Sequence, residues 1–142
     1  MKAVVGKLGR TIAGKMAFGA DLLEELEKFV IDNDIKCGTF SIIGAVQKGS
    51  FGFFSREEKK YETVEVNEQC EILHCTGNIS LRDGSPFIHA HITLSDKTGK
   101  AFGGHLVKGC VVFVGEVIIQ EIVDINLVRE YDKDTELYLW KL

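Results

Sequence analysis

Between residues 21 and 33 the apolar side chains recur at helical steps: Leu22, Leu23, Leu26, Phe29 and Val30 form one stripe while Glu24, Glu25, Glu27 and Lys28 fill the gaps. That spacing predicts an amphipathic helix from Asp21 to near Asn33. Asp21 followed three residues later by Glu24 has the form of a capping box, and the acidic first turn suits the positive end of the helix dipole. Elsewhere the apolar runs are short, β-branched or aromatic, and punctuated by glycine. They predict strands over residues 2–8, 10–17, 37–46, 49–55, 62–66, 71–79, 87–95, 101–107, 111–123 and 136–142, with a tight turn at Gln47 and Lys48. The charged run 56–61 and the polar stretch 129–135 read as loops. The run VVFVGEVIIQEIV (111–123) is apolar at nearly every position. It reads as a central strand buried on both faces or a strand buried at a subunit interface, with Glu116 the odd residue.

One convincing helix among many strands, without repeated βα alternation, predicts an α+β fold: a single domain over 1–142, mostly antiparallel sheet packed with one main α-helix. A chain of 142 residues can bury most of the surface its unfolded form exposes, so one core suffices. The formal net charge of −4 and a sequence pI near 5.6 argue against tight independent DNA binding, since such modules carry a basic stripe. Cys37, Cys70, Cys75 and Cys110 form no CxxC pair and read as buried reduced thiols. The start, MKAVVGKLGR, lacks the apolar run of a signal peptide, and no stretch approaches the roughly 18 apolar residues that span a bilayer. The expected location is cytoplasmic, with no membrane partner.

The chemistry concentrates in FIHAHITLSDKTGKAFGGHL (87–106), which holds three of the four histidines. Strand alternation puts Phe87, His89, His91, Thr93 and Ser95 on one face and Ile88, Ala90, Ile92 and Leu94, the core set, on the other. In the next strand His105 again opposes the core face. With an odd number of residues in the SDKTGK connection, His89 or His91 lies across from His105, at about 5 Å between Cβ atoms. An even number would require a bulge, for which Gly103 and Gly104 offer a place; the pair could equally let a neighbouring backbone approach closely. Three imidazoles from one hairpin match a zinc site that keeps its fourth position open, although copper, iron and nickel accept the same ligands. Asp96 and Glu116 are the nearest acids in sequence that could serve a metal-bound water, which makes a metal-dependent hydrolase the alternative reading. His74 falls with Ile72 and Thr76 and reads as structural. GKLGR and TIAGK lack phosphate-loop spacing.

The stretches GADLLEELEKFVIDNDIKCGTFSIIGAVQKGSFGFF, EILHCTGNISLRDGSPFIHAHITLSDKTGKAFGGHLVKGCVV and GEVIIQEI resemble the PPC domain, named for plants and prokaryotes, over about residues 8–123. HxH followed by GGH across one turn is the most specific part. The resemblance implies an antiparallel α/β domain assembled as a homotrimer, with a metal site, zinc by analogy, on His89, His91 and His105. Members are often labelled DNA-binding, but in the plant proteins a separate AT-hook grips the minor groove while the PPC domain mediates assembly. This chain has one proline, Pro86, and no Arg-Gly-Arg-Pro core, a departure from the DNA-gripping members that leaves a DNA-binding or regulatory protein as a second alternative reading.

Overall fold

The computed structural model describes residues 1–142. In chain order the elements are β1 (Lys7–Lys15), α1 (Leu22–Asp32), β2 (Gly38–Ser55), β3 (Lys60–Val66), β4 (Cys70–Arg82), β5 (Ser85–Ser95), β6 (Ala101–Leu106), β7 (Val111–Val123), β8 (Arg129–Asp132) and β9 (Leu137–Trp140). The first seven strands build one antiparallel sheet in the order β1-β7-β2-β4-β5-β6, with β3 also on β2; β8 and β9 form a separate hairpin. The α+β expectation, one domain of mostly antiparallel sheet with a single helix, is what the structure shows.

β2 is used twice. Its first half lies between β4 and β7, while its second half pairs with β3 and, through Phe51 opposite Leu106 and Gly52 opposite His105, with β6. The strands β2, β4, β5 and β6 therefore close on themselves, and α1 seals one side of the resulting curl. Leu22, Leu26 and Val30 of the helix are buried against a core that includes Phe40, Ile42, Ile72, Ile79, Ile92, Leu94, Val112 and Ile119. Each such side chain contributes about 1.5–3 kcal/mol when fully buried. Asp21 caps the helix by accepting from the backbone N–H of Leu23 and Glu24, and its other oxygen accepts from Gly109 N–H at 2.6 Å. Glu24 does not close the capping box; it pairs with Lys108. All four cysteines are buried and unpaired. Burial pushes the Cys75 thiol up to about 12 and Cys110 up to about 11, so both stay protonated.

Several sequence expectations need correction. Residues 47 and 48 make no turn: β2 runs straight through, because Val46 and Lys48 stay paired with Val112 and Val111 and two register irregularities absorb the bend. The two pieces expected over 2–8 and 10–17 are one strand, β1, with an irregularity between Leu8 and Thr11. Part of the 129–135 stretch is strand β8, whose turn is set by Asp132 accepting from Thr135 N–H and Oγ1–H. β7 has the expected bounds but not two buried faces, for Phe113, Val114 and Ile118 are exposed in the single chain. An irregularity between Ile72 and His74 breaks the expected alternation, leaving Ile72 in the core and His74 exposed.

On the face away from α1, the register aligns one cross-strand row: Ala13, Ile118, Ser41, Thr76, His91, His105 and Gly52 are successive partners. The adjacent row runs Thr11, Gln120, Thr39, Asn78, His89. The histidines thus sit at one end of a surface that becomes apolar at the other.

Candidate metal centre

Register decides which side chains meet. Ser95 pairs with Ala101, leaving five residues in the β5–β6 connection, an odd number, and His91 lies directly opposite His105. The turn itself is held by Asp96, whose Oδ1 accepts from Thr98 N–H at 2.8 Å, Thr98 Oγ1–H at 2.6 Å and Lys100 N–H at 3.1 Å. No bulge is needed at Gly103 and Gly104. The pair instead permits close backbone approach, since a Cβ on Gly103 would stand 2.0 Å from Ile92 O and one on Gly104 2.6 Å from Gly52 O.

His89, His91 and His105 come together as the alternation predicts. Their rings are 5.2–5.6 Å apart between centroids, and one nitrogen from each lies within 4.8 Å of the others. A tetrahedral zinc ion with bonds near 2.0–2.1 Å needs ligand nitrogens about 3.3 Å apart, a gap that modest ring rotation closes. Tyr61 stacks on His105 at 4.7 Å, an approach that Gly52 allows, because a Cβ there would press on the Tyr61 ring at 3.1 Å.

The electrostatics favour the metal-ready form. Burial, then the neighbouring His89 and His91 and the charge of Arg129, pushes His105 down to about 4. Burial, then Arg129 and His91, lowers His89 as well. Both rings are neutral near pH 7 and keep a lone pair for a cation. Nδ1 of His105 is buried without a hydrogen-bond partner. Leaving such an atom unsatisfied costs about 1–3 kcal/mol, and a bound cation satisfies one donor of this kind. The donor set therefore fits a transition metal.

The acids named from sequence are not at this centre. Asp96 is spent on its turn, and Glu116 lies on β7 opposite Ile43 of β2 and Lys15 of β1. What sequence reasoning missed is the wall facing the histidines. A cleft of about 190 Å³ is lined by Tyr61, Phe87, His89, His105, Arg82 and Arg129 together with residues 136–139 of the β8–β9 hairpin. The available signal was the strand expected over 136–142, which needed a partner that the 129–135 stretch supplies. Glu136, the cleft's carboxylate, is paired with Lys59 at 2.6 Å.

Known proteins with this architecture include a metal-containing protein from Archaeoglobus fulgidus, similar at 33% identity and TM-score 0.93 over the whole of both chains. A plant- and prokaryote-conserved (PPC) protein from Pyrococcus horikoshii is similar at 34% identity and TM-score 0.93, covering 100% of this chain and 98% of the other. A structure from Bacteroides thetaiotaomicron that carries a provisional DNA-binding designation matches at 25% identity and TM-score 0.86, over 96% of each chain. Among curated proteins, the bifunctional protein GlmU of a Synechococcus strain (JA-3-3Ab) is 28% identical over 129 residues. That match takes in 87% of this chain, which spans only 20% of the curated relative's length. A family model for the Plants and Prokaryotes Conserved (PCC) domain matches residues 3–123, and with the fold in agreement, the chain belongs to that family.

Proposed function

We propose that this chain is a metal-binding PCC-domain protein that holds zinc through His89, His91 and His105 and works as a homotrimer. The observation that carries the metal reading is the meeting of three imidazole nitrogens within 4.8 Å, one ring of which, His105, has a buried and unpartnered Nδ1. The relative from Archaeoglobus fulgidus is described as metal-containing, which supports the same reading. Zinc is the choice because three neutral imidazoles with an open fourth position are its usual ligand set. When bound, the ion supplies a Lewis acid and a site for water or an anion. The protein's own residues orient the rings: the β5–β6 register sets His91 against His105, and Tyr61 holds the His105 plane.

The number of subunits in this reading comes from the family resemblance, and the outer row of the sheet supports contact with a partner copy. Ile43 and Ile118, about half exposed, share an open depression with Ala13, Ser41 and Glu116, an apolar surface that a partner subunit would cover. Hydrolysis is the weaker alternative, because the cleft's carboxylate is held by Lys59 and neither Asp96 nor Glu116 lines it. A net charge of −4 gives no general attraction for a polyanion, so direct DNA binding is not part of the proposal.

Metal analysis of protein purified without a nickel column tests the reading. Stoichiometric zinc is expected, with content falling in His89→Ala and His105→Ala, since loss of a ligand should weaken affinity by at least the roughly 10–100-fold that loss of an outer partner costs. Absence of stoichiometric metal, or equal content in the variants, would overturn it.

A further inference from the structure

The wall opposite the histidines carries positive charge with no matching anion. Arg129 is only 7% exposed, yet no carboxylate lies within ion-pair distance of it. Its guanidinium donates to three neutral acceptors: Nε to Ser80 Oγ at 2.8 Å, Nη2 to Asn78 Oδ1 at 2.8 Å and Nη1 to Tyr138 O at 2.9 Å. Five N–H groups are present on a guanidinium, so donors remain. Asn78 is the ladder partner of His89, which places this buried cation one side chain from the histidine cluster. Arg82 lines the same cleft beside it, stacked over Tyr138 at 3.7 Å and sharing the Phe87 ring with Arg129 at 5.5 and 5.3 Å. Its one acidic neighbour, Asp83, is 3.7 Å away and almost wholly in water.

Burying a cation without a counter-charge is costly, and the cleft holds one such cation beside another. A divalent ion on three neutral imidazoles adds two more positive charges, while Glu136 is already neutralised by Lys59. The site as built is short of negative charge. Its remaining lining, Tyr61, Phe87, Leu137, Tyr138 and Leu139, is aromatic and aliphatic, and about 190 Å³ admits only a small molecule.

We propose that the cleft between the β8–β9 hairpin and the histidines binds a small organic carboxylate, its charged end facing Arg82, Arg129 and the open metal position, its apolar body against Phe87, Tyr138 and Leu139. The proposal rests on the metal reading above for the ion's share of the attraction. Planar guanidinium groups suit a carboxylate, and the aromatic wall suits an organic body better than an inorganic anion.

The test uses the full chain loaded with cobalt(II), whose visible band reports its ligands, and benzoate as the probe. Benzoate is expected to shift the band with Kd below about 1 mM, and Arg82→Gln to weaken that binding about fivefold or more with unchanged cobalt content. Arg82 is about one third exposed and, unlike Arg129, makes no buried hydrogen bonds, so this variant folds even if Arg129→Gln does not. A cobalt band that benzoate leaves unchanged, with no heat of binding by calorimetry, would overturn the proposal. So would phosphate binding where benzoate does not, or benzoate binding that ignores the Arg82 substitution. A chain that takes up no cobalt fails the metal reading separately; calorimetry of benzoate on the metal-free wild type and Arg82→Gln then decides this proposal on the arginines alone.

Discussion

His105 shows how a single side chain couples folding to acidity. In the folded chain its proton affinity is depressed to about 4, whereas an unfolded imidazole titrates near 6.5. Between these values the unfolded chain takes up a proton that the folded chain refuses, so stability is full above about 6.5 and falls as the pH drops toward 4. His89, shifted the same way, adds to the slope. For a half-buried ring screened by water the loss is about 1–2 kcal/mol. Urea unfolding of metal-free protein at the two ends of that window should show it, and His105→Gln should flatten the dependence. A slope of the opposite sign would mean that the ring is charged in the folded state. Bound metal should steepen the curve, because protons and metal compete for the same nitrogens.

At the scale of elements, Asp21 is the residue on which two segments depend. Asp21→Ala removes the helix cap and the acceptor for Gly109 N–H together. About 1–2 kcal/mol should be lost, lowering the thermal midpoint by about 3–6 °C, whereas Asp21→Asn should retain most of the stability. A shift of less than about 1 °C in the alanine variant would show that the cap contributes little. This helix was legible because three- and four-residue spacing has no competing explanation, and β7 because its apolar run ends where its pairing ends. The histidine hairpin was legible through parity: alternation put His89, His91 and His105 on one face, and a five-residue turn kept them there. The irregularity between Ile72 and His74 was not legible, since one extra residue changes parity without changing composition. The cleft wall was hidden for a different reason. Arg129 looks like any surface arginine until Ser80, Asn78 and the Tyr138 carbonyl, distant in the chain, close around it.

For the whole molecule, the exposed apolar end of the cross-strand row sets the assembly expectation. Light scattering should give three times the 15.8 kDa chain mass, and Ile118→Asp, placing charge in that surface, should shift the population toward monomer. A wild-type monomer at micromolar concentration would refute the trimer. β2, through its four partners, has a further consequence, for the order of events in folding. The hairpin bearing the histidines closes a loop of a few residues and can form early, whereas Lys7 must find Val123 and Gly38 must find Glu121. Such distant pairings place the chain among slow folders, in the millisecond to second range. The β8–β9 hairpin, which carries Arg129 of the cleft, follows the histidine strands in the chain. The three imidazoles need only the β5–β6 hairpin to meet, so an ion captured early would fasten β5 to β6 while the rest of the sheet is still searching for its register.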